Sequence, residues 1–251
     1  MKKTRQISPS FLARMAFFLA VLEGQASVWG QLRIPGRLVV SNDAVATATH
    51  ILANESLWRL GLLLSVLAVA FNLARTVVSY VLFRPVGRIP ALLMAFFGVV
   101  AIALQAGGIL FQLPVLILLK NGKDFPAFSP EQLQSLALIF LKGNGAAFNL
   151  YLAFFGFCCL LGGYVIWRSA FLPRILGLLL ALAGVGYATY LWPPLAKALY
   201  PYNLALGIGE LLLGLWFLIF GVNAARWREQ GRATRQLEAA RYDEPTPRPA
   251  T

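Results

Sequence analysis

The sequence predicts an all-α polytopic membrane protein, a bundle of six transmembrane helices with both termini in the cytoplasm. Two observations carry the fold class. Hydrophobic residues make up 59% of the 251 residues and only 13% are charged, a composition outside the range of soluble domains. The apolar residues fall in separate long runs, and most Lys and Arg residues stand at the ends of those runs. A lipid bilayer is therefore the predicted partner of most of the chain.

The second apolar run, residues 57–83, is the clearest span. At about 1.5 Å per residue it is long enough to cross a hydrocarbon layer of about 30 Å. At helical spacing, its polar residues share one face: Ser65, Asn72, Thr76 and Ser79, with Arg75 at the edge of that face. Polar groups are costly in lipid unless they face protein or water, so this face is predicted to line the bundle interior.

The other five spans are predicted at about residues 11–30, 89–119, 146–167, 175–192 and 202–222. The first run is too long for a signal peptide and contains Arg14 and Glu23, so it is interpreted as a retained span. Residues 31–56 are predicted to form a polar loop that holds a short strand or an amphipathic turn. Ser129 and Pro130 mark a helix start, followed by an amphipathic lead-in over residues 131–141. Residues 1–223 thus form one membrane domain.

Residues 224–251 are predicted to be a basic cytoplasmic tail, first an amphipathic helix and then a Pro-rich disordered end. The distribution of cations predicts the orientation. One set of termini and turns holds most of them: Lys2, Lys3, Arg5, Arg14, Arg84, Arg88, Arg168, Arg174, Arg226, Arg228, Arg232, Arg235, Arg241 and Arg248. In membrane proteins the cytoplasmic segments carry the excess of Lys and Arg. Both termini are therefore predicted to lie on the cytoplasmic side of a bacterial cytoplasmic membrane.

Polar residues on different spans are predicted to share one level in the outer half of the bundle. The candidate ligand-binding residues are Glu23, Arg59, Asn72, Gln112, Lys142, Asn144, Asn149 and Glu210. Glu23 or Glu210 is expected to pair with Arg59 or Lys142, because an unpaired charge is costly in the membrane. Arg75 lies apart from this level and is interpreted as structural, bonding helix carbonyls or reaching toward the headgroups.

Three functions are compatible with this pattern. The first is binding or transport of a small molecule or lipid through the outer polar pocket. The second is a non-catalytic accessory role, in which the basic tail contacts anionic lipid or a protein partner. The third is an enzyme that uses Glu23 or Glu210 as a general acid or base. The same polar residues could instead be purely structural, since hydrogen bonds and ion pairs between helices also hold bundles together.

No cofactor or metal is predicted. The single histidine, His50, lies in the predicted loop and cannot supply paired haem ligands or a histidine-rich metal centre. Cys158 and Cys159 are adjacent within an apolar run and are interpreted as packing residues. Nucleic acid is not a predicted partner, because the cations stand where membrane anchors are expected.

Five segments of the chain, in this order, carry a family resemblance: HILANESLWRLG, LFRPVGRIPALL, FSPEQLQSLALIFL, LAFFGFCCLLGGYVIWRSAFLPRILGLLLALAGVGY and GELLLGLW. Over about Ala13 to Val222 the chain resembles the bacterial integral-membrane family catalogued as domain of unknown function 4386. The segments RSAFLPRILG and GELLLGLW are the most specific. The resemblance implies a membrane architecture in bacteria, and it implies no chemistry or catalytic residue.

Overall fold

The computed structural model describes residues 8–120 and 122–243, and within them the chain is helical without a strand. Within these described residues, six helices are long and apolar enough to cross a membrane: Pro9–Leu38, Glu55–Val86, Arg88–Lys120, Pro130–Arg168, Arg174–Leu191 and Tyr202–Ile219. They are called the first to sixth spans. Large apolar side chains such as Phe96, Leu110 and Ile139 are exposed on the outside of the bundle, as lipid-facing residues are. The predicted fold class, a six-span all-α membrane protein, is confirmed.

The start of the first span and the end of the sixth lie on one side of the bundle. The Ser10 hydroxyl, at the start of the first span, donates a hydrogen bond of 3.1 Å to the carbonyl oxygen of Val222, just beyond the sixth. The turn at Arg84–Val86 lies on this side as well, because the helix Ala224–Asp243 packs against it. We call this end of the bundle the terminal side and the other end the opposite side.

The first span is longer than predicted, because the chain stays helical to Leu38 through one wider turn at Val28–Arg33. Ile34 and Leu38, four residues apart on one helix face, are buried in an apolar cluster with Trp58 of the second span. The prediction that the loop starts at residue 31 is wrong, because this packing stabilises another helical segment.

The remainder of the predicted loop contains a helix, Ala44–Ala53, and no strand. Asp43 caps its first turn, since the carboxylate accepts a hydrogen bond of 2.8 Å from the backbone N–H of Ala46. The Thr47 hydroxyl accepts a second bond of 2.9 Å from the N–H of Val40. Ile51 is fully buried, so this helix closes the opposite side of the bundle instead of lying free.

The fourth span and its predicted lead-in form one helix, Pro130–Arg168. The predicted start at Ser129 is confirmed: its hydroxyl accepts from the N–H of Gln132 at 3.3 Å, and the Gln132 side chain accepts from the N–H of Ser129 at 2.8 Å. The third span likewise remains helical through Pro114.

The sixth span is shorter than predicted and is interrupted. A first turn, Tyr202–Ala205, is followed at Gly207 by the main helix, Ile208–Ile219. Gly221 ends it with a φ of +65°, a conformation that favours glycine after the last helical turn. The helix therefore stops before residue 222, where the sequence predicts its end.

The fourth and fifth spans approach each other through four glycines, Gly156, Gly163, Gly177 and Gly184, which we call the glycine seam. A Cβ atom at Gly156 would lie 2.7 Å from the carbonyl oxygen of Gly184, and one at Gly184 would lie 2.6 Å from the carbonyl oxygen of Gly156. Gly163 and Gly177 face each other in the same way. Small residues let membrane helices pack backbone to backbone, so these two spans are in direct contact.

The helix predicted at the start of the tail is present as Ala224–Asp243, the C-terminal helix. It is anchored to the membrane domain by side-chain hydrogen bonds. The Trp227 indole N–H donates to the carbonyl oxygen of Leu82 at 2.8 Å, and the Thr234 hydroxyl donates to that of Pro85 at 2.8 Å. Gln230 accepts from the N–H of Ala170 at 2.9 Å. The C-terminal helix therefore contacts two turns on the terminal side. The predicted disordered end, residues 244–251, lies outside the described residues.

Replacing Trp227 with Phe should loosen the C-terminal helix without unfolding the bundle. The ring is kept and one hydrogen bond is lost, which typically costs about 1 kcal/mol, or about fivefold in an opening equilibrium. Hydrogen–deuterium exchange of residues 224–240 should accelerate by about that factor. Trp192→Phe is the matched control, because Trp192 is exposed, and it should leave the exchange of this helix unchanged. Equal exchange in both variants would show that the indole bond does not hold the helix.

Candidate functional site

Three charged side chains from three spans meet inside the bundle: Glu23 of the first span, Arg75 of the second and Glu210 of the sixth. We call them the ion triad. Arg75 Nη1 donates to Glu210 Oε1 at 2.9 Å, and Arg75 Nη2 lies 4.0 Å from Glu23 Oε2. The Arg75 side chain is only 15% exposed. The ion triad therefore links helices that are far apart in sequence.

Neutral groups complete the surroundings of the guanidinium. Arg75 Nη2 also donates to Asn72 Oδ1 at 3.1 Å, one helical turn earlier on the second span. The Phe155 ring of the fourth span lies beneath it, with the guanidinium carbon 5.1 Å from the ring centroid. Tyr151, also on the fourth span, donates its hydroxyl to Glu23 Oε1 at 3.4 Å. Four spans thus fix the positions of the three charges.

Helix geometry explains why Arg75 and Glu210 lie at the same depth. At about 1.5 Å per residue, Arg75 is about 12 Å from the helix end at Phe83, and Glu210 is about 14 Å from the helix end at Ile219. Gly209 packs directly on the backbone of Leu179, where a Cβ atom would overlap the carbonyl oxygen. This contact holds the start of the sixth helix against the fifth, and the Glu210 carboxylate then reaches Arg75.

A cavity of about 100 Å³ adjoins the ion triad and is lined by residues of all six spans. Its polar lining comes from Asn72, Arg75, Thr76, Ser79 and Glu210. Most of the remaining lining is apolar: Ala16, Ala20, Phe83, Met94, Ala95, Gly98, Phe155, Cys158, Cys159, Gly162, Leu180, Leu213, Gly214 and Phe217. The cavity therefore offers a few polar groups in an apolar enclosure, the usual character of a small-molecule site.

A family model with the description "Domain of unknown function (DUF4386)" matches residues 16–221. The chain belongs to this family. The match begins within the first span, ends just past the sixth and confirms the resemblance found in the sequence. No curated protein and no solved structure matches the chain significantly. The DUF4386 description states no activity, so any function must be inferred from the site itself.

The ion triad does not include Arg59 or Lys142. The prediction that they pair with Glu23 or Glu210 is wrong. The Arg59 side chain is 64% exposed and forms an ion pair of 2.8 Å with Glu55, one turn earlier on the same helix. Lys142 is exposed and donates to Asn42 Oδ1 at 3.2 Å. Both are on the opposite side of the bundle, so the cation in the interior is Arg75, which was predicted to bond helix carbonyls or reach the headgroups.

The predicted level of the pocket also needs correction. On the second span the cavity extends from Asn72 to Phe83, and on the sixth it extends from Glu210 to Phe217. Both stretches run toward the terminal side, whereas the sequence predicts a pocket in the half away from the termini. The cause is the short sixth helix. If depth is measured from the predicted helix start at Tyr202, Glu210 lies near the opposite side. The helix ends at Ile219, however, which places Glu210 near the middle of the bundle.

The predicted amides other than Asn72 do not line the cavity. Gln112 is buried and donates to Gln31 Oε1 at 3.3 Å. Asn144 is buried with its Oδ1 unpartnered among the described residues, and it packs against Gly108 of the third span. Asn149 is half-buried. Gln112 and Asn144 therefore sit between helices in the half of the bundle nearer the opposite side.

Three residues near the polar interior were not predicted as site residues: Gln105, Tyr151 and Phe155. Gln105 is 1% exposed, and neither of its amide atoms has a partner within the described residues. Its position seven residues before Gln112 places both on one face of the third span, a signal that was available in the sequence. Tyr151 and Phe155 gave no such signal, because aromatic residues are common throughout the fourth span. The described residues contain no cluster of three or more metal-ligating side chains.

Proposed function

We propose that this protein binds a small organic cation in the cavity beside the ion triad, as a membrane receptor or transporter for such a molecule. The observation that carries the proposal is the imbalance of charge: two carboxylates surround one guanidinium in the interior. When all three groups are ionised they have a net charge of −1, which is costly in a medium of low dielectric constant. A ligand with one positive charge would neutralise it.

Glu210 is the carboxylate that would contact such a ligand. Glu23 is 10% exposed on its side chain and does not line the cavity, whereas Glu210 is 28% exposed and does. Only one Glu210 oxygen has a hydrogen-bond partner among the described residues, Oε1 with Arg75. Its Oε2 is therefore able to accept a hydrogen bond from an ammonium group.

The walls and the size of the cavity define the rest of the ligand. Phe83, Phe155 and Phe217 line it, and aromatic faces attract organic cations. A cavity of about 100 Å³ is somewhat smaller than the volume of about 150 Å³ that accommodates benzene in an apolar protein interior. A short alkylammonium ion fits this description, either alone or as the end of a longer amphipathic amine.

The experiment compares probes of similar size whose head groups are positive, neutral or negative. Butylammonium, butanol and butyrate are titrated into the purified full chain in detergent, and binding is measured by calorimetry and by the rise in melting temperature. Butylammonium should bind and the two other probes should not. If butyrate binds more tightly than butylammonium, the ligand is an anion that contacts Arg75 and the proposal is wrong. If none of the three probes binds, the ion triad has a structural role only.

Glu210→Gln should weaken butylammonium binding at least tenfold, because the hydrogen-bond acceptor remains but its charge is removed. Glu55→Gln is the matched control. Glu55 is a carboxylate at the opposite side that pairs with Arg59 at 2.8 Å and Lys120 at 2.7 Å. This control should bind butylammonium within twofold of the unmodified protein. The same loss in both variants would argue against a site at Glu210.

We propose the bacterial cytoplasmic membrane as the location, with both termini in the cytoplasm. The support is the excess of cations at the terminal side, which includes Arg84, Arg88, Arg168 and Arg174. In this orientation the cavity lies in the cytoplasmic half of the bundle. Accessibility of a cysteine introduced at Asn223, measured with a membrane-impermeant thiol reagent on intact cells, tests it: labelling only after lysis is expected.

A further inference from the structure

A second, larger hollow lies at the terminal side, between the C-terminal helix and the turn that joins the second and third spans. It encloses about 660 Å³. We call it the arginine groove. The hydrogen bonds of Trp227 to Leu82 and of Thr234 to Pro85 fix its two walls at a defined separation. It is therefore a formed groove, separate from the cavity beside the ion triad.

The arginine groove is strongly positive. Five arginines from two separate parts of the chain line it: Arg84, Arg88, Arg228, Arg232 and Arg235. All five are exposed, and none forms an ion pair with a carboxylate among the described residues. In the described part of the chain, Glu238 is the one acidic residue of the lining. Five guanidinium groups and one carboxylate leave the groove with an excess of positive charge, which attracts an anion with several oxygen atoms, such as a phosphate.

A third side of the groove is apolar and belongs to the membrane spans. Leu12 of the first span and Tyr80 and Val81 of the second line it. Val81 is 42% exposed, and on the same helix face, four residues earlier, Val77 is 57% exposed. The groove thus continues into the lipid-facing surface of the second span. A soluble phosphate compound would use only the arginines, whereas an amphiphile would use both surfaces.

We propose that the arginine groove binds an anionic phospholipid, with its phosphate among the arginines and an acyl chain along the second span. The two surfaces match the two parts of such a molecule, and the arginines stand at the end of the spans, where headgroups lie. A bound lipid would connect the C-terminal helix to the Arg84–Val86 turn. This proposal does not depend on the ligand of the cavity.

The test uses the full chain in nanodiscs and native mass spectrometry after detergent extraction. Phosphatidylglycerol and phosphatidylcholine with identical acyl chains are offered in equal amounts. At least one phosphatidylglycerol should remain bound, in at least tenfold preference to phosphatidylcholine. Glycerol 3-phosphate, which has the phosphate without acyl chains, should not displace it at equal concentration. Equal retention of both lipids, or displacement by glycerol 3-phosphate, would overturn the proposal.

Arg84→Gln combined with Arg232→Gln removes one arginine from each wall and should lower phosphatidylglycerol retention at least tenfold. Arg168→Gln combined with Arg226→Gln is the matched control, because it removes the same charge from the same side of the molecule but outside the groove. The control should retain the lipid within twofold. If the first variant fails to fold, Arg88→Gln and Arg228→Gln, made singly, should each lower retention severalfold. Equal losses in groove and control variants would indicate nonspecific attraction to a basic surface.

Discussion

Replacing Arg75 with Met should lower the free energy of unfolding by about 3–5 kcal/mol, the range measured when one partner of a buried ion pair is removed. Without the guanidinium, Glu23 and Glu210 keep no cation within reach among the described residues. The measurement is the unfolding of the purified full chain in mixed micelles of mild detergent and SDS. The Arg75→Met variant should unfold at a markedly lower SDS fraction.

Arg59→Met provides the matched control, because Arg59 is on the same helix but pairs with Glu55 at the surface. Exposed pairs contribute about 0–1 kcal/mol, so this variant should stay close to the unmodified protein. Adding Glu210→Gln to Arg75→Met should restore part of the lost stability, since it removes one unpaired charge. Similar unfolding of the Arg75→Met and Arg59→Met variants would mean that the ion triad contributes nothing to stability.

Gly156→Ala should destabilise the bundle by about 2–3 kcal/mol, because a side chain forced into a well-packed contact shifts the backbone. The added methyl group would lie 2.7 Å from the carbonyl oxygen of Gly184 and 2.7 Å from the backbone nitrogen of Ala188. Neither backbone atom can rotate away as a flexible side chain would, so the fourth and fifth spans must separate. Unfolding in mixed micelles measures the loss.

Gly145→Ala is the corresponding change on the same helix, at a position where an added Cβ atom meets nothing within 4 Å. It should be neutral or stabilising by up to about 1 kcal/mol, since alanine has the higher helix propensity. The comparison separates the contact from the general effect of replacing glycine. If the two alanine variants had the same stability, the close approach of the fourth and fifth spans would not be needed for folding.

The number of spans and the helix start at Ser129 could be predicted from the sequence, because length, hydropathy and capping are local properties. The continuation of the first span to Leu38 could not. It depends on the packing of Ile34 and Leu38 against Trp58, and this contact becomes visible only when distant segments are brought together. The end of the sixth helix at Ile219 could not be predicted either. Gly221 followed by the apolar Val222 is compatible both with a helix that continues and with one that ends.

For the candidate site, the sequence identified Glu23, Asn72 and Glu210 as polar residues on the spans, and the structure brings all three close to Arg75. It assigned the wrong cations, because depth was counted from predicted helix ends and an error of a few residues moves a charge by several ångströms. Arg59 lies near the start of its helix and Lys142 bonds Asn42, and both side chains are exposed, so neither charge is buried in the bundle. The depth of a charged side chain in the membrane can therefore be worked out only when the true ends of its helix are known.

The glycine seam restricts how this bundle is able to move. Because the fourth and fifth spans touch along their backbones, they must travel as one rigid body, and sliding between them would force carbonyl oxygens into collision. The cavity lies between this rigid pair and the other four spans, and the first, second and sixth of these hold the three charges. Any opening that admits a solute must be a rocking of one group against the other, with the hinge outside the seam.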